Sequence, residues 1–309
     1  NDDLDDGTLP RRVRIGLATV WARDAQRQLQ DLIARERPHV AHFHNTFPQL
    51  SPSVYAACQA AGVPVVQTLH NFRLVCAGAL LQRDGRPCED CLDGGSVAGL
   101  LPGLRHRCYR GSIAATGTLT AMLAVNRARG SYRHGVDRYV ALTRFAAGRL
   151  QAGGLPAGRF TIKPNFLPSP PAPGAGDGGY VAYVGRLSHE KGVHTLLTAW
   201  ESPGLPPLRI LGDGPLRAEV EARIAERRLP VTVLGFRSKA EVLSEVGRAL
   251  FQVVPSEWYE GFPMVVLEAL ASGTPVLAAR IGSLDEIVSD GETGTKFTPG
   301  DAADLERAT

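Results

Sequence analysis

Apolar runs alternate with segments of helical spacing along most of the chain, and Gly and Pro mark the breaks between them. A short run that is apolar throughout predicts a strand buried on both faces, and the segments between such runs predict connecting helices. This alternation predicts an α/β fold with parallel sheets. The predicted strands are 38–44, 64–70, 138–142, 180–184, 208–211, 231–234, 250–255 and 275–279. The predicted helices are 24–37, 53–61, the segment that ends at Gly153, 192–200, 216–228, 239–249 and 263–273.

The strands fall into two series, separated by a segment rich in Pro and Gly that has no periodicity and predicts a linker. A chain of 309 residues is long enough for two domains. The chain starts without Met on an acidic run at 1–6 and stops inside a predicted helix, so we expect both ends to belong to a longer protein. The predicted divisions are a first domain at 1–165 with a Cys-rich insertion at 74–110, a linker at 166–179 and a second domain at 180–309.

Composition narrows the class of protein. Hydrophobic residues make up 44% of the chain and charged residues 21%, as in water-soluble globular proteins. The most apolar stretch, 113–125, is interrupted by Thr and Gly and is shorter than the ~20 residues that span a bilayer. No secretory signal is visible at the start, so we expect a cytoplasmic protein. The net charge of +3 is small, and nucleic acid is not an expected partner.

Arginine is concentrated in one part of the chain. Between 101 and 160 there are ten Arg, no Lys and one acidic residue, Asp137. A basic surface of this kind suits an anionic partner, such as a polyphosphate or the phospholipids at the inner face of a membrane. Coding bias is the alternative, because only four of the 34 basic residues in the chain are Lys.

Two acidic residues follow the predicted strand 250–255. Glu260 lies in the loop after this strand, and Glu268 lies inside the next helix, which Pro263 can begin and Gly273 can end. Ligands of open α/β sheets bind at the carboxyl ends of the strands, where this loop is expected. The two carboxylates therefore indicate a site, unless Glu260 is a solvated loop residue and Glu268 lies on an exposed helix face.

Two further loops have residues that suit an anion. Gly185 allows a tight turn after a strand, Arg186 offers donors that match phosphate oxygens, and Lys191 adds a charge beside a helix start. The alternative is that Lys191 solvates the helix start and Arg186 pairs with a carboxylate. The turn Gly212-Asp213-Gly-Pro also leaves a strand and allows a ligand to approach the backbone, although many ordinary turns have this form.

These loops occur in a specific order. Gly-Arg-Leu-x-x-Glu-Lys-Gly at 185–192, Gly-Asp-Gly-Pro at 212–215, Leu-Gly-Phe at 234–236 and the pair of Glu at 260 and 268 each follow a predicted strand. The combination resembles the family 4 retaining glycosyltransferases over nearly the whole chain. The resemblance implies a GT-B fold, in which two Rossmann-like doubly wound domains face each other across a cleft. It also implies a nucleoside-diphosphate sugar as donor, transfer with retention, and a glycolipid or saccharide acceptor such as a cell-surface polysaccharide intermediate.

The resemblance assigns a role to each matching residue. Arg186 and Lys191 would neutralise the donor diphosphate, so that no catalytic metal is expected. Glu260 would lie near the transferred sugar as a catalytic residue, and Glu268 would bond the ribose. Gly235, Phe236 and Arg237 would flank the base, and backbone amides after Glu260 would contact sugar and phosphate. The remaining implied donor-binding residues are Gly185, Gly212, Asp213, Gly261, Phe262, Met264 and Val265.

Two predicted strands of the first domain end in His-Asn, at His44-Asn45 and His70-Asn71. The resemblance implies that His70 is a catalytic-site residue near the donor sugar, and the alternative is a core histidine. His44, Asn45 and Asn71 are candidates for the acceptor side. We expect His42 to be a buried structural histidine.

Two features of the family are missing from this sequence: a first strand with its Gly-rich loop, and a C-terminal helix that crosses back onto the first domain. Part of the acceptor and diphosphate cradle is therefore expected to be absent. The alternatives to an active transferase are a truncated or inactive donor-binding scaffold and a GT-B sugar-nucleotide epimerase. A phosphorylase would need a pyridoxal-phosphate lysine, for which the candidates are Lys163, Lys191, Lys239 and Lys296.

Four cysteines fall within 33 residues, and two of them have the Cys-x2-Cys spacing that is typical of zinc sites. A structural zinc site on these thiols, with His106 as a substitute ligand, and four free thiols are both open interpretations. Disulfides are not expected in a chain without an export signal. The four candidate ligands are Cys76, Cys88, Cys91 and Cys108.

Overall fold

The computed structural model describes residues 9–309, with side chains described from residue 14 onward. The acidic run at 1–6 lies outside the described residues. The described part of the chain forms two compact units, one made of 9–81 and 88–164 and the other of 82–87 and 165–309.

The first unit is built on a parallel sheet in which β1, β2, β5 and β6 pair in this order. A short antiparallel hairpin, β3 with β4, interrupts the chain between the second and third of these strands. The elements up to residue 164 are α1 (Leu9–Val20), α2 (Arg23–Glu36), β1 (Ala41–Phe43), α3 (Ser53–Ala60), β2 (Val65–Leu69), β3 (Gln82–Arg83), β4 (Arg86–Pro87), α4 (Leu101–Arg105), α5 (Ile113–Ala128), α6 (Ser131–His134), β5 (Arg138–Ala141), α7 (Arg144–Ala152) and β6 (Phe160–Ile162).

Strand β2 lies inside this sheet, between β1 and β5, and four of its five residues are accordingly buried. Val65 at its start donates its N–H to Asp137 Oδ2 at 2.7 Å. Gln67 is polar but satisfied, because its Oε1 accepts from the hydroxyl of Tyr55 at 2.9 Å. Strand β1 is shorter than the predicted strand 38–44, since it pairs with β2 only over Ala41–Phe43.

The sequence pattern did not predict α1 and α5, which pack against each other. Asn126 near the end of α5 donates its side-chain amide to Val20 O at 3.2 Å, which ties the ends of the two helices. One of the Thr residues that interrupt the apolar pattern of α5, the buried Thr116, accepts from Tyr109 N at 3.0 Å. Within the described residues, no helix has the length and apolar character needed to cross a bilayer.

The second unit contains a parallel sheet with the strand order β12-β11-β10-β7-β8-β9. Every strand predicted for this half of the sequence is present, and β12 was not predicted. The elements are β7 (Val181–Val184), α8 (Val193–Ala199), β8 (Leu208–Leu211), α9 (Arg217–Arg227), β9 (Val231–Gly235), α10 (Lys239–Arg248), β10 (Phe251–Val254), α11 (Met264–Ala271), β11 (Val276–Ala279), α12 (Gly282–Ile287), β12 (Gly294–Phe297) and α13 (Ala302–Ala308).

The strand order reverses between β7 and β10. From β7 the chain adds β8 and β9 on one side, then crosses over to add β10, β11 and β12 on the other side. This is the order of a doubly wound Rossmann fold, in which the reversal opens a crevice at the carboxyl ends of the two central strands. The loops after β7 and β10 therefore occupy the position where such a sheet binds its ligand.

The helix after β10 begins and ends close to the predicted residues. Pro263 is the N-cap of α11, so it precedes the helix and does not occupy its first turn as predicted. Gly273 follows the helix with φ +74°, in the left-handed conformation expected for a helix end.

The chain between β6 and β7 contains no helix or strand. Its last part is bonded to the second unit, because Gly174 N donates to Ser272 O and Gly178 N donates to Arg248 O, each at 2.8 Å. A side chain at Gly174 would not fit, since its Cβ would lie 1.9 Å from Gly247 O.

Candidate functional site

The loops that follow β7 and β10 contact each other where the strand order reverses. Gly192 lies between a 3-10 turn at 189–191 and α8, and its own φ is +69°. A Cβ added at Gly192 would lie 1.8 Å from Pro255 O. Only glycine meets both demands. Glu257 N also donates to Glu190 O at 3.0 Å, so backbone contacts fix one loop against the other.

The loop after β8 joins this contact. Gly212 has φ +150°, and a Cβ there would lie 1.9 Å from Gly185 O. Asp213 O accepts from Leu187 N at 3.0 Å. The Asp213 carboxylate accepts from Gly214 N at 2.7 Å and from Arg217 at 2.9 Å. These two bonds, the Gly214 amide first, lower the pKa of Asp213, so the exposed group stays ionised.

Glu260 is the centre of a hydrogen-bond network. Its carboxylate is buried, with the residue 7% exposed. Oε1 accepts from Lys191 Nζ at 2.6 Å, from Ser256 Oγ at 2.8 Å and from Trp258 Nε1 at 3.0 Å. Lys191 Nζ also lies 5.4 Å from the centre of a Trp258 ring, within range of a cation–π contact. The interpretation of Glu260 as a solvated loop residue is therefore wrong.

Sequence reasoning missed Ser256 and Trp258. A signal was present, because both residues precede Glu260 at alternate positions of the loop after a buried strand. Alternate positions of an extended chain lie on the same side. A polar residue and an indole N–H on the side of a carboxylate are the groups that satisfy it when it is buried.

The two cations differ in their surroundings. Lys191 is paired with Glu260, whereas Arg186 is exposed and its guanidinium has no hydrogen-bond or ion-pair partner among the residues whose side chains are described. The loop around Arg186 is nevertheless fixed, since its backbone O accepts from the hydroxyl of Tyr183 at 2.9 Å. The alternative that Arg186 pairs with a carboxylate is not observed. Arg186 is thus a positioned loop residue whose charge is available to an anion.

The remaining candidates of the second unit lie along the same edge of the sheet. Gly212 N donates to Gly235 O at 2.9 Å, which joins the end of β9 to the end of β8. Phe236 is 81% exposed, so its ring is open to a planar ligand. Arg237 follows it and is exposed as well. Glu268 is half-buried in α11, and its Oε1 lies 3.4 Å from Lys239 Nζ at the start of α10.

The start of α11 supplies backbone donors to this edge. Met264 and Val265 are the first two residues of the helix, and amides in a first turn have no acceptor inside the helix. Pro263 makes no side-chain cap. Gly261 O accepts from Ser283 at 3.1 Å, and Gly261 and Phe262 lead into the helix half-buried. Val266 N donates to Pro263 O at 3.1 Å, and a helix start with further amides directed outward favours an anion.

In the first unit, the two histidines that end neighbouring strands meet. His44 Nδ1 lies 2.9 Å from His70 Nε2, and their rings stack with centroids 5.2 Å apart. The His42 and His44 rings are tilted against each other with centroids 4.6 Å apart, and His42 Nε2 lies 2.8 Å from Thr68 Oγ1. His42 is exposed, so the prediction of a buried structural histidine is wrong. Alternate positions of β1 explain this, because His42 shares the surface of the sheet with His44.

The surroundings of two of these imidazoles, His70 and His42, lower their pKa values. Desolvation, followed by the neighbouring His44 and His42, lowers the pKa of His70. Partial desolvation, followed by His44 and Lys163, lowers the pKa of His42. A neutral imidazole has one donor and one acceptor nitrogen, so the bond between His44 and His70 requires one ring to donate and the other to accept.

The two asparagines after these histidines form the same local turn. Asn45 Oδ1 accepts from Phe47 N at 3.0 Å, and Asn71 Oδ1 accepts from Arg73 N at 2.9 Å. Both are Asx turns, a conformation that Asn favours in loops. Sequence reasoning missed Arg73, whose guanidinium lies 4.7 Å from the Phe47 ring. Its position two residues after His-Asn was the available signal.

The predicted zinc site is not formed. Among the described residues, no group of three or more His, Cys, Asp or Glu is arranged to hold a metal ion, and none of the cysteines forms a disulfide. Burial, followed by nearby thiols, raises the pKa of Cys91 to about 11. His106, the substitute ligand, is exposed. The residues concerned are Cys76 and Cys91, which are buried, and Cys88 and Cys108, which are half-buried.

The Arg residues between 101 and 160 are distributed over several elements of the first unit. Arg138 begins β5 and Arg144 follows the end of the same strand. Others are engaged locally: Arg127 donates to Ser96 O at 2.6 Å, and Arg149 donates to both carboxylate oxygens of Glu89 at 2.9 Å. Contact with an anionic membrane stays a prediction.

Family models match both halves of the chain. The model described as a glycosyl transferase 4-like domain matches residues 7–165, and the model for glycosyl transferases group 1 matches residues 171–309. The chain belongs to the family 4 glycosyltransferases. The resemblance of the loop motifs to this family is thereby confirmed.

Curated relatives match a part of the chain. Glycogen synthase of Mycobacterium tuberculosis is 37% identical over 137 residues, which are 41% of this chain and 32% of the synthase. Sulfoquinovosyl transferase SQD2 of Arabidopsis thaliana is 36% identical over 129 residues, 40% of this chain and 24% of the relative. The match to D-inositol 3-phosphate glycosyltransferase of Rhodococcus erythropolis is 41% over 128 residues, 37% of this chain and 28% of the relative. The matched part therefore spans about a third or less of these relatives.

Solved structures resemble nearly the whole chain. HepE of Anabaena in complex with UDP has a TM-score of 0.65 at 18% identity, covering 91% of this chain and 70% of HepE. Sucrose-phosphate synthase from Thermosynechococcus elongatus has a TM-score of 0.61 at 21% identity, covering 92% of this chain and 66% of the synthase. At these identities the likeness concerns the fold, and the predicted GT-B fold is confirmed.

Proposed function

We propose that the protein transfers a sugar from a nucleoside-diphosphate sugar to an acceptor, and that the second unit binds the donor. The observation that carries the proposal is the convergence of Arg186, Lys191 and Glu260 at the reversal of strand order. Bonds between the loops after β7, β8 and β10 fix these residues in place. Family membership supports the same reaction.

The donor diphosphate would be held by Arg186, Lys191 and the first-turn amides of α11. During transfer, the bond between the anomeric carbon and the diphosphate oxygen breaks, and the acceptor hydroxyl oxygen bonds to that carbon and loses its proton. Negative charge grows on the leaving diphosphate, which can take up that proton. Cations and amides placed beforehand stabilise that charge as it forms, and the loss of one such donor costs about 10²–10³ in rate. Because side chains supply this charge, we expect the reaction to proceed without a divalent ion.

Glu260 would act near the transferred sugar. Its carboxylate orients Lys191 through the 2.6 Å bond and is itself oriented by Ser256 and Trp258. The exocyclic hydroxyls of a sugar bind well to a fixed carboxylate, since the bond is charge-assisted. Retention of anomeric configuration is proposed from the family resemblance.

The nucleoside would occupy the side of the crevice near β9 and α11. Glu268 would accept hydrogen bonds from the ribose hydroxyls, and Phe236 with Arg237 would flank the base beside Gly235. HepE was solved with UDP, which supports a uridine nucleotide as the first donor to test. The backbone around Gly185, Gly212 and Asp213 would line the phosphates.

In the first unit, we propose His70 as a catalytic-site residue and His44, Asn45 and Asn71 as acceptor-side residues. The pairing of His44 with His70 supports a shared role. The acceptor is proposed to be a glycolipid or a saccharide, such as an intermediate of cell-surface polysaccharide synthesis, and the protein is proposed to work in the cytoplasm at the inner membrane face.

A thermal-shift screen with UDP-, GDP- and ADP-sugars tests the donor, since a ligand stabilises the folded state by mass action. Wild-type protein should melt at a higher temperature with one of the three, and Arg186→Ala and Glu260→Ala should lose most of that shift. Hydrolysis or transfer of the same donor then tests catalysis. An undiminished shift and turnover in both variants would contradict the proposed site, and binding without turnover in the wild type would favour a donor-binding scaffold.

A further inference from the structure

The first unit has a cavity beside the two histidine-ended strands. Its interior is about 20 Å³, which is space for roughly one water molecule. His44, Asn45, His70, Asn71 and Arg73 are among the lining residues, and no Asp or Glu is. The two asparagines and the two histidines are exposed at the mouth, whereas Arg73 is half-buried.

Arg73 keeps its charge without a carboxylate. Its Nη1 donates to Ala77 O, and its guanidinium lies 4.7 Å from the Phe47 ring and 5.0 Å from the Tyr109 ring. In the part of the chain with described side chains, no Asp or Glu pairs with it. Arg149 of the same unit shows the usual arrangement, because it donates to both oxygens of Glu89. Desolvation lowers the pKa of Arg73. An anion beside the guanidinium would therefore offset the free-energy cost of burying its charge.

The groups around Arg73 are donors as well. Asn45 and Asn71 use their side-chain oxygens in the Asx turns, which leaves each amide NH₂ as a donor at the mouth. The planar guanidinium has five N–H donors, of which Ala77 takes one. Two aromatic rings fix its orientation. Such a set of fixed donors matches the oxygens of a phosphate group.

We infer that this cavity binds a phosphate group of the acceptor, with Arg73 as the residue that recognises it. The inference rests on the proposed transferase function. The cavity admits one phosphate oxygen to the guanidinium, while the other oxygens stay at the mouth within reach of the two asparagine amides. The acceptor hydroxyl would then lie on the side of His44 and His70. Arg73 is a specificity-determining residue in this arrangement and takes no part in bond breaking.

Isothermal titration with glycerol 3-phosphate and with glycerol tests the inference on the full chain, in the presence of saturating UDP. Wild-type protein should bind glycerol 3-phosphate and should show no binding of glycerol. Arg73→Met should raise the Kd for glycerol 3-phosphate at least tenfold, and Arg73→Lys should recover part of the lost affinity. Arg27→Met, which removes an exposed Arg of the same unit, should bind like the wild type. An unchanged Kd in Arg73→Met, with a melting curve like that of the wild type, would overturn the inference.

The source of the phosphate is resolved by vesicle sedimentation. A phosphate on a soluble acceptor predicts Arg73-dependent binding of glycerol 3-phosphate and equal sedimentation with vesicles of phosphatidylcholine alone or with 20% phosphatidylglycerol. A phosphate on a lipid acceptor predicts Arg73-dependent sedimentation with the second vesicles only. Repeating the titration in Arg186→Ala, which lacks the proposed donor cation, separates the two proposals. Arg73-dependent binding there supports the phosphate site even if UDP-sugars fail to bind, and its loss there would assign the phosphate to the donor site.

Discussion

Lys191 Nζ lies 2.6 Å from Oε1 of Glu260, although 69 positions separate the two residues in the chain. The carboxylate side chain is 9% exposed and the lysine side chain 25% exposed, so the pair is largely shielded from water. Lys191 comes from the loop after β7 and Glu260 from the loop after β10. The ion pair therefore connects the two strands between which the sheet order reverses, and it sets the charge of the proposed donor site.

Removing the lysine and removing the charge of the carboxylate should affect stability and sugar transfer to different extents. Lys191→Ala leaves a buried carboxylate without its cation, and we expect a loss of about 1–3 kcal/mol in the free energy of unfolding. Glu260→Gln keeps the shape and should lower sugar transfer by at least about 100-fold with a smaller loss of stability. Denaturant unfolding and a transfer assay measure the two effects. Lys296→Ala, which breaks the pair with Asp285, is the control and should keep its transfer rate.

Arg186 should matter for binding and not for folding. Its side chain is exposed, and no ion pair is lost on removing it, so Arg186→Ala should change stability by less than about 0.5 kcal/mol. Affinity for UDP should fall about tenfold or more, because a charge-assisted contact to the diphosphate is lost. Calorimetric titration measures this. Arg227→Ala removes another exposed Arg of the second unit and should bind UDP normally; equal affinities of the two variants would contradict the assignment.

Gly212 should tolerate no side chain. Its φ of +150° is costly for any other residue, and a Cβ would lie 1.9 Å from Gly185 O. The backbone conformation alone costs about 1–3 kcal/mol, so Gly212→Ala should lower the melting temperature clearly and disturb the loop of Arg186. Gly148→Ala is the matched change in open space inside α7, where Ala is the better helix former. It should raise stability by about 0.5–1 kcal/mol.

The cluster of His42, His44 and His70 should make the stability of the first unit sensitive to mild acid. The folded pKa values of His42 and His70 lie below the ordinary 6.5, so below that pH the unfolded state binds more protons than the folded state. Stability therefore falls as the pH drops from about 7 towards 5. His70→Asn should flatten this dependence in melting experiments, and His106→Asn, at an exposed His whose ring joins no stack, should keep it. A slope that persists in His70→Asn with its full size would assign it to other groups.

The cysteines should react in the order of their burial. Burial raises the pKa of Cys58 and of Cys91 to about 11, so both stay protonated at pH 8. Alkylation of native protein should label the half-buried Cys88 and Cys108 before the others, as mass spectrometry of peptides would show. Treatment with a chelator before labelling should leave the order unchanged. If all the cysteines are labelled only after chelation, the result would indicate a zinc site.

Much of this molecule can be read from local sequence. The apolar runs predicted three of the four strands of the first parallel sheet and five of the six strands of the second. They did so because a strand buried on both faces needs a continuous apolar segment, and Gly-containing loops marked the carboxyl ends of strands in the second sheet. The helices α1 and α5 and the strand β12 could not be predicted in this way. The helices α1 and α5 come together from distant parts of the chain, as when Asn126 bonds Val20 O. Strand β12 contains Gly, Thr and Lys, so its sequence is not an apolar run.

The sequence alone determined the order of the strands along the chain, the loop motifs and the family to which they belong. Only the tertiary structure decided which residues meet: Glu260 with Lys191, His44 with His70, and Arg73 with two aromatic rings. It also decided that the four clustered cysteines do not form a metal site. The physical reason is that charge pairing and burial depend on distance in space, and positions far apart in sequence become neighbours only when the sheets form.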